Sequence, residues 1–540
     1  MRCVLLILAV GACVPSREYG QVERYGMLQL RMPRRAGAEP AVAEVWTPSG
    51  ASVRVESYDE GNDTFVRLAP RELGDHTFVV RRGDTDVLRG GFVASPSSRS
   101  GPVKRDPKEP RRLVREDGST FFMLGENRIN VYDPSWNVEA LGGPEYVARM
   151  ASYGMTTLRV FVFTDTECEE CEGGVQLGAL ETKLGQFDSA TARRFDAIMR
   201  AAEENDVHVI LTLFAVGFTE GETWKSWHDN PYSKERGGPA EKPQDFFTDK
   251  TARAHAAERL RYVLARWGYS PQLLAVDLLN EPEWDGPIPE GEWVPWAREL
   301  ARFAQTHDGR DHMITVGPVG LSSNIGGADE RAWYQAREND IVQWHLYGEP
   351  FYEPANLAIE MTRRVREVWE YDRPVLCGEF GYGGEDHATH EHTHVGLWSA
   401  IFSGAGVLSH TAPVFNVDSD QPMTRSRAMH FKVLRDFLEA LPKGWAAPRF
   451  DAEVAGGAQV WQLAAADGSS GAVWLLANGD TKRGVEVRLP QISGGRYRVT
   501  WVDDVSGARL VDTEVVASLD GLHLVSPAFS RHVAARYVRL

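Results

Sequence analysis

The sequence predicts an α/β fold: a (β/α)8 barrel flanked by N-terminal and C-terminal β-sandwich domains. Three observations predict it. Between residues 113 and 442, short apolar runs alternate with amphipathic stretches of helical length, the pattern of strands buried on both faces and connected by helices. On either side of that block the texture becomes period-two alternation broken by Gly, Asp, Asn and Pro, as in small sandwiches. At 540 residues the chain is also too long for one typical domain.

Residues 1–13 read "MRCVLLILAVGAC". One Arg precedes a short apolar run and small residues, the arrangement of a signal peptide, and the run is too short to span a bilayer. "VGAC" resembles a bacterial lipobox. It would put a lipid on Cys13 and fix an exported protein to a membrane facing the periplasm or the exterior; simple secretion is the alternative. Residues 20–97, with "AVAEVWTP", "SVRVESY", "DTFVRLAP" and "HTFVVRRG", form the first sandwich. Residues 98–112 are rich in Ser, Pro and charge and read as a linker.

Eight runs follow as barrel strands: "FFMLGE", "TTLRVFVF", "VHVILTLF", "LLAVDLLNE", "HMITVGP", "IVQWHLY", "PVLCGEFG" and a weaker "AGVLSHTAPVF". Helix candidates such as "SATARRFDAIMRAAEEN" and "KTARAHAAERLRYVLARWG" lie between them. A doubly wound open sheet ranks lower, because no Gly-rich phosphate loop follows the first strand. Residues 447–540, with "GAVWLLANG" and "RYRVTWVD", form the second sandwich.

Composition narrows the function. The net charge is −17, from 59 basic and 76 acidic residues, which argues against nucleic acid as a partner. Sixteen Trp keep carbohydrate in play, since indole rings stack on the apolar faces of sugars. Of five Cys, Cys3 and Cys13 lie in the leader and Cys377 sits in an apolar strand as an inert thiol. Cys168 and Cys171, in "CEEC", suit a local disulfide in an exported chain, and no second CxxC completes a zinc site.

In such a barrel, reactive side chains sit where strands end at the C-terminal face. Strand two presents Arg159, strand four Asn280 and Glu281, strand six His345 and Tyr347, and strand seven Glu379. Two carboxylates on separate strand ends, among Asn, Arg, His and Tyr, suit acid/base and nucleophilic chemistry on a glycosidic bond.

Asn-Glu-Pro after strand four and Gly-Glu-Phe-Gly after strand seven resemble clan A glycoside hydrolases, in particular the family 5 cellulase and mannanase type. "NPYSKERGG", "HVGLWSAIFSGAG" and the first sandwich extend the resemblance over most of the chain. The resemblance implies retaining hydrolysis of β-glycosidic bonds in a polysaccharide or oligosaccharide. Glu281 would be the general acid/base and Glu379 the nucleophile. Arg159 would keep Glu379 ionised, Tyr347 would hydrogen-bond to it, Asn280 would bind the sugar 2-hydroxyl, and His345 would line the same subsite. Neither a metal nor a cofactor is needed.

The same two Glu would serve a transglycosylase. A carbohydrate-binding surface protein that has lost activity is the rival from another class. Trp284 and Trp224 are candidate sugar platforms, while Trp227, His228 and Tyr232 could be platforms or a local core. Trp398 reads as core. "HATHEHTH", with His387, His390, His392 and His394, reads as a loop after strand seven, with His394 the candidate to reach the cleft. One departure stands out: members of this type carry a Trp at the end of strand eight, and "VLSHTAPVFNVD" has none, leaving His410 or Phe415 to fill that space.

Overall fold

The computed structural model describes residues 15–128, 143–162, 180–214, 227, 230–282, 291–318, 327–382, 384–386, 388–410, 423–442, 447–477, 481–492 and 494–540. The chain divides into two compact units: residues 1–99 with 259–270 and 303–311, and the remainder. In the first unit, a five-stranded sheet (Ser16–Glu23, Thr85–Ser95, Gly74–Arg82, Val42–Trp46, Ser52–Glu56) accompanies a three-stranded one (Leu28–Pro33, Asp63–Leu68, Tyr58–Glu60). Alternation sets the faces: Leu28, Leu30 and Met32 are buried, while Gln29, Arg31 and Pro33 are exposed. The buried set joins Val66, Phe78, Val80 and Phe92 in one core.

The second unit contains eight parallel strands: β1 (Leu124–Arg128), β2 (Thr157–Phe161), β3 (His208–Thr212), β4 (Leu273–Asn280), β5 (Met313–Gly317), β6 (Val342–Leu346), β7 (Val375–Phe380) and β8 (Ala405–His410). Every residue in them is buried, which is why they read as unbroken apolar runs. They pair in the order β5-β4-β3-β2-β1-β8-β7-β6. Hydrogen bonds from Asp340 N–H to Ile314 O (2.8 Å) and from His345 N–H to Pro318 O (3.1 Å) bridge the seam between β5 and β6.

A helix follows each strand: α1 (Gly143–Ser152), α2 (Ser189–Asn205), α3 (Lys250–Trp267), α4 (Trp293–His307), α5 (Ala328–Gln335), α6 (Pro354–Val368), α7 (Glu391–Ser403) and α8 (Arg425–Glu439). Their ends follow local chemistry. Asp188 caps α2 by accepting from Thr191 N–H (2.7 Å), and Asp206 ends the helix in the left-handed conformation. Together these elements make a (β/α)8 barrel.

The segment read as a linker does more than connect. Lys104–Arg105 pairs with Leu113–Val114, which pairs with Thr120–Phe121. Val103, Leu113 and Phe121 then pack onto Leu274, Met313 and Leu376 near the strand starts, closing the N-terminal end of the barrel. Composition registers the polarity of this segment but not its single anchoring Val103.

Toward the C-terminus, a six-stranded sheet (Ala447–Arg449, Ala458–Ala464, Ser470–Ala477, His532–Arg539, Arg496–Val502, Arg509–Val516) and a three-stranded one (Glu453–Val454, Glu486–Leu489, Leu522–Val525) share a core of Val473, Val487, Val499, Trp501, Leu524 and Tyr537. Helix α7 is buried from His392 to Ser403 because it packs on the barrel and this sandwich together. Trp398 on α7 stacks on Trp474, and Trp461 Nε1–H donates to Thr362 Oγ1 (2.7 Å). Among the described residues, no helix is long and apolar enough to cross a membrane.

Candidate active site

Glu281 follows β4 with φ of +49°, a left-handed conformation that L-residues adopt at a cost of about 1 kcal/mol or more. Its N–H is held by Gly317 O at 2.7 Å. Strand pairing loses register between Asp277 and Asn280 on β4, and between Cys377 and Phe380 on β7. Such irregularities re-aim side chains at a barrel rim, and each lies beside one of the two Glu. Oxygens of Glu281 and Glu379 and a ring nitrogen of His345 all lie within 4.8 Å of one another.

Arg159 organises this rim from the floor of the barrel, fully buried. All five of its N–H groups are used. Nε and Nη2 donate to Asp277 Oδ2 (2.8 and 2.6 Å), Nη1 to Asn127 Oδ1 (2.7 Å) and Glu379 Oε1 (2.6 Å), and Nη2 to Asn280 Oδ1 (2.7 Å). Gln343 Nε2 also donates to Asp277 (3.1 Å). The web leaves no space beside Gly317: a Cβ there would stand 2.2 Å from Gln343 Nε2 and 2.9 Å from His345 Nε2. Tyr347 Oη–H donates to Glu379 Oε2 (3.0 Å), so each Glu379 oxygen has its own donor.

The two Glu differ in environment. Burial pushes Glu281 up to about 7, outweighing the opposing pull of Arg159 and the Asn280 hydrogen bond. Glu379, by contrast, directly contacts the Arg159 guanidinium. His345 Nδ1 lies 2.6 Å from Glu281 Oε1, and burial pushes this imidazole down to about 4. A neutral His345 donates Nδ1–H to Oε1 and leaves the other Glu281 oxygen to carry a proton. Tyr347 is held well above its ordinary value by burial and by the Glu379 charge, so it remains a donor. Glu281, His345 and Glu379 could geometrically hold one divalent ion.

Six of the residues singled out in the sequence therefore converge: Arg159, Asn280, Glu281, His345, Tyr347 and Glu379. Trp224 and Trp284 lie outside the described residues, as do Cys13, Cys168, Cys171, His228, His387 and Phe415. Trp227 and Tyr232 are core: Trp227 Nε1–H donates to Glu241 O, and Tyr232 packs edge-on against Phe214 and Phe246. Trp398 and Cys377 are buried as read.

The His-rich stretch needs correction. Residues 391–403 are helix α7, not loop, and His390 and His394 stand one turn apart. His394 turns to the C-terminal sandwich rather than the cleft. Its Nε2 bonds Asp504 (3.2 Å), which also accepts from His532 Nδ1–H (2.8 Å) and Trp474 Nε1–H (2.7 Å). His390 bonds Glu385 and Ser426, and His392 bonds Phe351 O. Each of these three rings has at least one polar partner, and His394, Asp504 and His532 also stand close enough together to share one metal ion.

Four residues went unread as site members in the sequence or were read differently: Asn127, Asp277, Gln343 and Gly317. Asp277 and Gln343 carried a signal, each a polar residue inside an otherwise apolar run.

Comparison with known proteins decides the family. Residues 115–405 match the family model described as Cellulase (glycosyl hydrolase family 5). The chain belongs to glycosyl hydrolase family 5. It is a retaining β-glycosidase of clan A, and the family assignment agrees with the paired carboxylates at the barrel rim. The chain is 24% identical over 345 residues to mannan endo-1,4-beta-mannosidase 2 of Oryza sativa subsp. japonica, covering 55% of this chain and 73% of that protein. It is 24% identical over 244 residues to a probable mannan endo-1,4-beta-mannosidase F of Aspergillus oryzae, covering 42% of this chain and 49% of that one. Among solved structures, one from Bacteroides vulgatus has a TM-score of 0.66 at 14% identity, covering 96% of this chain and all of its own. A glycoside hydrolase family 5 structure from the same organism has a TM-score of 0.55 at 13% identity, covering 81% and 93%.

Proposed function

We propose that this family 5 enzyme hydrolyses internal β-1,4 bonds of a mannan-type polysaccharide or its oligosaccharides by double displacement. Glu379 attacks the anomeric carbon while Glu281 protonates the leaving oxygen, giving a covalent glycosyl-enzyme. Glu281, now a carboxylate, takes a proton from water as that water attacks the same carbon and releases Glu379. The single observation that carries the reading is the approach of the Glu281 and Glu379 oxygens to within 4.8 Å. Retaining glycosidases place their carboxyl groups about 5–5.5 Å apart, whereas inverting ones leave room for a water at about 6.5–9.5 Å. The mannan assignment rests on the named relatives. Asn280, with its Oδ1 fixed by Arg159 and one Nδ2–H directed to Glu281, has its second Nδ2–H to offer a sugar hydroxyl.

A panel of β-mannan, glucomannan, cellulose, β-glucan and xylan, read by chromatography and by NMR of the first-formed anomer, tests this. The expected result is β-mannan cleavage into oligosaccharides with β-configured new ends. A first-formed α-anomer sinks the mechanism, and cleavage of xylan or cellulose alone sinks the substrate. Transglycosylation uses the same intermediate and would appear in the panel as products longer than the substrate.

The pH dependence follows from Glu281. It must begin protonated, and burial raises it to about 7. kcat/KM is expected to fall as pH rises through about 7, and Glu281→Gln should lack that limb. A wild-type profile flat to pH 9 would remove Glu281 from the acid role. A raised carboxyl binds its proton more tightly when folded. This group's contribution to stability is therefore full below the ordinary carboxyl range and is lost as pH rises through about 7.

We also propose export, with Cys13 as a candidate lipid site. The support is the leader-like composition of residues 1–13.

A further inference from the structure

We propose that His410 is a substrate-positioning residue, donating its Nε2–H to an oxygen of the sugar unit held against Glu379. The proposal rests on the reading of Glu379 as the nucleophile.

A chain of hydrogen bonds sets the tautomer. Arg159 can only donate, and its Nη1–H reaches one end of the Asn127 amide at 2.7 Å, so that end is the oxygen. The other end is therefore the NH2 group, and it stands 2.6 Å from His410 Nδ1. An amide NH2 only donates, so Nδ1 must present its lone pair. The ring proton is then on Nε2. The ring also stays neutral: burial first, then the charges of Arg128, Arg159 and Arg427 and the neighbouring His345, oppose a second proton.

His410 is 6% exposed, and among the described residues its Nε2 has no hydrogen-bond partner. Nε2 is not closed off from solvent, so a bound ligand oxygen can take over its N–H from water. The location identifies the ligand. His410 Nδ1 is 3.8 Å from Glu379 Oε2, and the ring stands edge-on to Tyr347, which donates to that same oxygen. Nε2 is one imidazole away from Nδ1, within the span of a single sugar unit attacked by Glu379. A neutral donor suits a hydroxyl or ring oxygen of an uncharged sugar.

Two substitutions separate this role from a structural one. Asn at 410 can still offer an acceptor to Asn127 where Nδ1 stood, but its short side chain cannot reach the Nε2 position. Gln reaches that position with an amide N–H but gives up the Nδ1 acceptor. With full-length protein and 2,4-dinitrophenyl β-mannobioside, His410→Asn is expected to lose about ten-fold or more in kcat/KM. His410→Gln should stay within about three-fold of wild type, and the alkaline limb set by Glu281, read with an unactivated mannooligosaccharide, should not move in either. In wild type, one monodeoxy analogue of the substrate should suffer a matching loss that does not add to the Asn substitution.

A purely structural His410 predicts the reverse order, with Asn tolerated and Gln impaired, and that order overturns the proposal. Equal losses in both, or losses in neither, overturn it as well. Hydrolysis surviving in Glu379→Ala would overturn the site reading and this proposal together, a result distinct from any pattern at His410.

Discussion

Replacing Glu379 by Ala is expected to lower hydrolysis of 2,4-dinitrophenyl β-mannobioside about ten-thousand-fold or more, with the fold intact. The loss is large because, among the described residues, Glu379 and the acid/base Glu281 are the carboxylates brought together at the rim, and Glu281 is committed to the leaving oxygen. The fold should survive because Arg159 keeps both bonds to Asp277 and those to Asn127 and Asn280, so no buried charge is left alone. Azide turns the experiment into a test of roles. In Glu379→Ala, azide occupies the vacated space and attacks from the nucleophile's side, giving the α-glycosyl azide. In Glu281→Ala, the activated leaving group departs without an acid and the glycosyl-enzyme forms. Azide then attacks it from the opposite face, giving the β-glycosyl azide. Reversed anomers would exchange the two assignments. Full activity in Glu379→Ala, with circular dichroism unchanged, would remove Glu379 from the reaction.

Much of this was legible in the sequence, for identifiable reasons. Strands buried on both faces produce unbroken apolar runs, so all eight barrel strands stood out. A rule of the fold, that strand ends carry the chemistry, converted Arg159, Asn280, Glu281, His345, Tyr347 and Glu379 from scattered polar residues into one rim. What stayed hidden depends on pairing across the barrel. Asp277 interrupts "LLAVDLLNE" visibly, but its partner Arg159 lies on a strand far away in the chain, and no local pattern connects them. Gly317 looks like an ordinary strand-ending Gly until Gln343 and His345 are seen against it. The His-rich stretch failed differently. Its composition suggested a loop, whereas burial against the C-terminal sandwich stabilises it as α7, and His394 finds Asp504 in a separate sheet domain.

Arg159→Met should be the most destabilising of these changes, and it should also inactivate the enzyme. Asp277 is fully buried, and Arg159 supplies its compensating charge and two of its hydrogen bonds. Removing one partner of a buried pair strands the other, at about 3–5 kcal/mol. Gln343 would be the main remaining donor to Asp277, supported by a longer 3.4 Å contact from Thr212 Oγ1, and neither brings charge. Arg159→Lys is the informative comparison. It keeps the cation, but three donors on a compact ammonium cannot match a planar fork serving Asp277, Asn127, Asn280 and Glu379 at once. Its stability should be partly restored while kcat/KM stays depressed by about a hundred-fold, because Glu379 and Asn280 lose their fixed positions. The double variant Arg159→Met/Asp277→Leu then removes the Asp277 share of the stranded charge and leaves that of Glu379. It should regain much of the thermal transition lost by Arg159→Met and none of the activity. A single variant Arg159→Met that melts with wild type would show that the Arg159–Asp277 pair adds nothing to stability. A double variant no more stable than Arg159→Met would trace the damage to packing rather than to the unpaired carboxylate.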